Sequence, residues 1–226
     1  MAEATLSVII PALNEAETIA GAIASAFAAG ADEVVVSDGG SRDATVRIAE
    51  SRGARVVRGA RGRGPQLNRG AAAASGRIYC FLHADARLHP GSGRAMRAAL
   101  RDPGVVGGNH RADFGRGANG RVLAALYHVM RPFRVYYGDS ALFCRADAFA
   151  ASGGIPPYPL MEDLAFVRRL HRLGRMAYLP TPVFASARRW ERGGVARTWA
   201  SWVVIQVGYW LGVPPDRLAR LYRHIR

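Results

Sequence analysis

Leu6-Ser7-Val8-Ile9-Ile10-Pro11-Ala12-Leu13-Asn14-Glu15 decides the fold class. An uncharged run rich in β-branched side chains reads as a strand buried on both faces, and polar residues follow it at once. Asn14, with Glu17 three residues on, signals the start of a helix over about 15–29. The unit then recurs. Strands over 33–37, 54–58 and 77–82 are followed by helices over 42–51, 65–75 and 91–101. Continuous apolar strands separated by helices of this length imply an α/β fold, a mostly parallel central sheet with helices on both faces. Ligands of such sheets bind beyond the carboxyl ends of the strands.

The second half is less regular. Strands are expected over 105–114, 140–144, 175–179 and 183–187, and helices over 117–131 and 164–173. Without an internal repeat, low-complexity stretch or linker, the reading is one domain over 1–192 and a helical C-terminal tail over 193–226. A chain of 226 residues is long enough to bury a sizeable core.

Composition excludes more than it assigns. All 31 basic residues are Arg, against 17 acidic ones, and there is no Lys. A phosphate-binding loop with its lysine, a Schiff-base lysine for pyridoxal phosphate and a kinase strand lysine are therefore all missing. The net charge of +14 suits nucleic acid, an anionic membrane surface or phosphorylated substrates, but the arginines are spread along the whole chain, as a general compositional bias would leave them. Cys80 and Cys144 sit in apolar runs without metal-site spacing and read as buried free thiols of a reducing compartment. No secretory signal is visible, so the expected location is the cytoplasm, with the inner face of the plasma membrane as a candidate site of association.

That candidate comes from the tail. Residues 198–215 carry no charge and hold Trp199, Trp202, Tyr209 and Trp210. Ser201, Gln206, two glycines and a terminal Pro-Pro pair argue against a full span. An interfacial helix in peripheral membrane contact and a core or homodimer-interface helix are the two readings that stand.

Three strands end in polar motifs: Pro11 to Glu15, then Ser37-Asp38-Gly39-Gly40-Ser41-Arg42-Asp43-Ala44-Thr45, then Phe81-Leu82-His83-Ala84-Asp85. Taken singly, helix-start and turn chemistry accounts for each acid. Together, Glu15, Asp38 and Asp85 would cluster at one rim, where carboxylates call for a cation or for hydrogen-bond donors on a ligand. That favours a nucleotide site. A dinucleotide-binding fold is disfavoured, because the glycine-rich stretch 59–70 follows the third strand and Leu67 stands where the third glycine belongs.

These blocks, with Gly62-Arg63, Gln66 and Asn68, Gly138-Asp139, Gly153-Gly154 and Met161-Glu162-Asp163, resemble family 2 glycosyltransferases of the GT-A fold over about 6–190. The nearest resemblance is to a small bacterial subgroup with His-Ala-Asp at the metal site. The resemblance implies that Pro11, Leu13 and Glu15 line a nucleoside pocket, that Asp38 hydrogen-bonds the base, and that Arg63 and Gln66 lie near the nucleotide. It implies that Asp85, last residue of the family's DXD motif, binds a divalent cation, Mg or Mn, bridging two phosphates. His83 replaces the first Asp and is a second candidate ligand. Arg189-Trp190 loosely match an Arg-Trp element expected to serve the pyrophosphate or the acceptor.

Glu162 and Asp163 open a helix, where unpaired amides stabilise an anion ready to take a proton from an attacking hydroxyl. The family places the base at Asp163. The implied activity is inverting transfer of a sugar from a nucleoside diphosphate, UDP favoured, to a hydroxyl of a lipid or glycan. A nucleotidyltransferase acting on a sugar phosphate is the alternative, although Pro11 and Asn14 stand where its basic glycine-rich loop would be. A nucleic-acid binder is a weaker one, since no strand pair interleaves aromatic and basic residues.

Overall fold

The computed structural model describes residues 3–115, 117–130, 135–185 and 195–225. The leading motif forms β1 (Leu6–Ala12), and the repeat continues through α1 (Ile19–Ala28), β2 (Glu33–Asp38), α2 (Thr45–Ser51), β3 (Arg55–Arg58), α3 (Arg63–Ala73) and β4 (Ile78–Phe81). Then come β5 (Arg87–Leu88), α4 (Ser92–Ala99), β6 (Val105–Asp113), α5 (Ala118–Met130), a 3-10 turn at Gly138–Ser140, β7 (Phe143–Arg145) and α6 (Ala146–Ala151). The described chain ends with α7 (Glu162–Leu173), β8 (Arg175–Phe184), α8 (Val195–Trp210) and α9 (Pro215–Ile225).

One sheet carries all eight strands in the order β3-β2-β1-β4-β7-β6-β8-β5. The first four are parallel, as the repeat requires. Beyond β4 the sheet is mixed, so that four of its seven pairings are parallel and the sheet is mostly, not purely, parallel. β7 runs antiparallel to both β4 and β6, β8 parallel to β6, and β5 antiparallel to β8. The two strands expected over 175–179 and 183–187 form one strand, β8, as far as Phe184, with pairing to β6 interrupted by two irregularities; residues 186–187 lie outside the described residues.

β1 lies inside the sheet between β2 and β4, and its alternation divides the core. Leu6, Val8 and Ile10 pack with Ile19 and Ile23 of α1 and Met96 of α4 on one face. Ile9 packs with Phe81, Phe166 and Leu170 on the other. On that face α3 presses hard against β1: a Cβ on Gly70 would stand 2.5 Å from Ile9 Cγ2. Truncating Ile9 to Ala would cost about 2–5 kcal/mol, as for other fully buried aliphatics.

A third, smaller core joins the tail to the rest. Ile205 of α8 and Leu218 of α9 pack with Val135, Tyr137, Met161 and Leu164. Tyr137 donates its hydroxyl hydrogen to Gln206 Oε1 at 2.7 Å, and Arg168 lies over the Tyr209 ring at 4.9 Å. Among the described residues no helix is long and apolar enough to cross a membrane.

Candidate active site

β2, β1 and β4 are neighbours running the same way, so the loops after Asp38, Ala12 and Phe81 emerge at one edge. The first two loops are stitched together. Asn14 donates its N–H to Ser41 Oγ at 2.9 Å and accepts the Arg42 N–H on Oδ1 at 2.9 Å. Beside it the Glu15 N–H donates to Thr45 Oγ1 at 2.8 Å and the Ala16 N–H to Asp43 Oδ2 at 3.1 Å. Asn14 sits at φ 55°, a left-handed conformation that asparagine tolerates better than most residues. It is thus a loop bridge rather than a helix cap, and α1 starts later than expected, after Thr18.

Two expected nucleotide residues lie within this scaffold. Asp38 is 2% exposed, and its carboxylate accepts the N–H groups of Gly40 and Ser41 in its own turn. Gln66, also buried, donates its side-chain amide to the carbonyls of Ala12 at 2.9 Å and Ser37 at 2.8 Å, and accepts the Gly62 N–H. It clamps the ends of β1 and β2. Pro11, Leu13 and Glu15 are half-buried along the rim, with Glu15 accepting the Thr18 hydroxyl at 2.8 Å.

The third loop carries His83 and Asp85. Asp85 is half-buried, and its carboxylate has no hydrogen bond or ion pair among the described residues. His83 Nδ1 lies 2.9 Å from Asp139 Oδ1, and the Tyr127 hydroxyl donates to the other Asp139 oxygen at 3.1 Å. Burial and then Asp139 push the Tyr127 pKa well up, so this phenol keeps its proton and acts as a donor.

Glu162 and Asp163 open α7 behind Met161, which is left-handed at φ 64°. Arg63, expected near the nucleotide, turns its guanidinium to this pair: Nε donates to Glu162 and Nη2 reaches Asp163 at 3.4 Å. Asp163 Oδ2 accepts the Gly138 N–H at 2.8 Å and Oδ1 accepts the Leu164 N–H at 2.8 Å. Burial and the neighbouring Glu162 raise the Asp163 pKa; Arg63 and the two amides oppose them without cancelling them. Burial works against the Arg63 charge, but Glu162, Asp163 and Asp139 outweigh it and hold the guanidinium protonated.

Gly138 is the hinge of the arrangement. A Cβ there would stand 3.0 Å from His83 Nε2 and 3.2 Å from Arg63 Nη2. The third loop and the acid pair therefore meet across a glycine backbone. Between them is a cavity of about 20 Å³ lined by Arg63, His83, Gly138, Glu162 and Asp163 and backed by Phe81 and Phe166, room for roughly one water. Arg189 and Trp190 lie outside the described residues.

Among the described residues no three His, Cys, Asp or Glu side chains converge as a metal-binding group. A cation that bridges substrate phosphates needs only one or two protein carboxylates, because phosphate and water oxygens complete its shell. The unpaired Asp85 carboxylate, with His83 beside it on the same loop, fits that mode. Asp139 and Tyr127 were not singled out as site residues. Asp139 stood in the quoted Gly138-Asp139 block, whereas nothing local marks Tyr127.

The sequence model of Glycosyl transferase family 2 matches residues 7–151. Among solved structures, glucosyl-3-phosphoglycerate synthase from Mycobacterium tuberculosis, in complex with Mn2+, UDP and glucosyl-3-phosphoglycerate, is 26% identical, with a TM-score of 0.62 over 79% of this chain and 70% of that one. The same enzyme with Mn2+ and UDP-glucose is 27% identical at a TM-score of 0.61, with the same shares covered. TarS from S. aureus, 18% identical, matches in fold with a TM-score of 0.63 over 86% of this chain and 38% of that one. No curated protein sequence matches the chain.

Proposed function

The chain belongs to glycosyl transferase family 2 and has the GT-A fold, and from that premise we propose an inverting, metal-assisted transfer of a sugar from a nucleoside diphosphate to a hydroxyl acceptor. Of the three readings of the sequence, family membership decides for the glycosyltransferase over the nucleotidyltransferase and the nucleic-acid binder.

The observation that carries the chemistry is Asp163, a carboxylate of raised pKa aimed by the Gly138 amide into the space beside His83. As general base it accepts the acceptor's hydroxyl proton while that oxygen bonds to the anomeric carbon. The bond from this carbon to the diphosphate breaks, and its electron pair leaves on the phosphate oxygen. A single displacement of this kind inverts the sugar carbon. Glu162 holds Arg63, and Arg63 limits how far the Asp163 pKa rises.

Pro11, Leu13 and Glu15 line the nucleoside pocket, on a floor stiffened by Asp38 and Gln66. Asp85, with His83, would hold Mg or Mn, whose chemistry is to stabilise negative charge developing on the leaving diphosphate. UDP is the favoured nucleotide because the solved relative binds it together with Mn2+.

Thermal unfolding with UDP, with and without MnCl2, tests the reading. UDP at saturating concentration with MnCl2 is expected to raise Tm by roughly 5 °C or more, and by clearly less alone. Asp85→Asn should remove the manganese-dependent part. Equal shifts with and without manganese would remove Asp85 from the metal site.

A further inference from the structure

α8 is apolar on both faces, with Trp202 and Tyr209 packed inward beside Ile205. Facing the protein it buries the polar Ser201 and Gln206 alongside Ile205. Facing outward it shows Ala200, Val203, Val204, Val207, Trp210 and, just past its end, Leu211. Their spacing of three and four residues makes one continuous stripe, with Val204 50% and Leu211 79% exposed. An outward face covered only by water would carry polar residues, and a contiguous exposed apolar face marks an interaction site.

The charge of the neighbouring helix says what covers the stripe. α9 packs along α8, with Leu218 against Gly208, and exposes Arg217, Arg220 and Leu221. Asp216 is the only acid after residue 198. A second copy packed through this hairpin would bring together two chains that each carry +14, with exposed arginines on α9 and one acid after residue 198 to offset them. An anionic bilayer surface complements both parts, apolar stripe into the acyl boundary and guanidinium groups onto the headgroups, and a tryptophan near the stripe's end suits the interface between them.

We propose that the α8–α9 hairpin docks this protein onto anionic membrane surfaces, so that its acceptor is a hydroxyl presented at the bilayer. The same hairpin clamps the catalytic loop. Gln206 holds Tyr137, next to Gly138, and Ile205 packs with Met161 and Leu164 on either side of the acid pair. Docking thus places Asp163 one layer of side chains from the membrane-facing helix. The docking itself is independent of the transfer reaction; only the identity of the acceptor rests on the function proposed above.

The test uses the full chain in cosedimentation with vesicles of phosphatidylcholine alone or mixed with phosphatidylglycerol, at low and high salt. The protein is expected to pellet with the mixed vesicles at low salt and to be released by salt. Val204→Glu should lower partitioning at least about tenfold, because it sets a carboxylate in the buried stripe of an interfacial helix. Arg217→Ser and Arg220→Ser should each lower it about fivefold, the worth of one basic residue at such a surface. All three positions are exposed, and the UDP-manganese shift in the same preparations reports separately on folding and on the nucleotide site. Wild-type protein left in the supernatant, or Val204→Glu binding as wild type does, would overturn the proposal. A dimer seen by sedimentation velocity and dissolved by Val204→Glu would overturn it too, assigning the stripe to self-association.

Discussion

Asp38 at the end of β2 and Asp163 at the start of α7 are both largely buried carboxylates, but they are held by different means. Asp38 is satisfied within three residues, by the amides of its own turn. Asp163 also draws on Gly138, 25 residues away, and on Arg63, 100 residues away, and burial with Glu162 still leaves its proton harder to lose than usual. An acid settled by its own loop shapes that loop. An acid suspended among distant partners, with its charge incompletely compensated, is in a condition to exchange a proton.

Asp163→Asn breaks this contrast most sharply. Turnover should fall by roughly a hundredfold or more, while affinity for UDP with manganese changes little. If Asp163 served only to hold its own loop, lost activity would follow lost Tm instead. The wild-type profile of kcat/KM against pH carries the same information. A base must be deprotonated to act, so the acid limb should lie above the ordinary aspartate range, because burial and Glu162 raise this pKa.

Gly138→Ala tests the joint between the two regions. The backbone there is one that alanine can adopt, so the cost comes from the methyl group meeting His83 and Arg63. Displacing either by a few tenths of an ångström should lower turnover about tenfold, through geometry alone, with Tm nearly unchanged. A loss of Tm in proportion to activity would show Gly138 to be packing rather than alignment.

The smallest effect belongs to the stitched loops. Asn14→Ala loses the bond from the Arg42 N–H and meets the left-handed backbone penalty, for about 2 kcal/mol and a Tm lower by about 5 °C. Asn14→Gly keeps the backbone at ease and should lose about half as much.

The first four strands were legible because each has a short apolar centre, 34–36 in β2, 56–57 in β3 or the runs of β1 and β4, recurring between helix-length segments. β7, expected over 140–144, forms at Phe143–Arg145, but its antiparallel pairing was not legible and neither was the two-residue β5, since both depend on partners far along the chain. The rim acids announced themselves by following those strands, but Asn14 read as a helix cap because its bond to the second loop spans 28 residues. The acid pair was visible at the head of a helix. That Arg63 would close on it could not be seen from spacing, and neither could the Tyr127–Asp139–His83 chain, which joins three separate elements.

The ion pair between Arg63 and Glu162 also fixes an order of assembly. It closes a loop of 99 residues, whereas the bonds between the first two strand-end loops close loops of about 30 or fewer. As the chain leaves the ribosome, everything needed for the stitched rim is present before β6 has been made, but Arg63 has no acid to meet until α7 emerges. Long-range closures carry the larger entropy cost and form later than local ones. The stitched rim can therefore be structured in a nascent chain that still lacks Glu162 and Asp163, and the closure of Arg63 on that pair comes last.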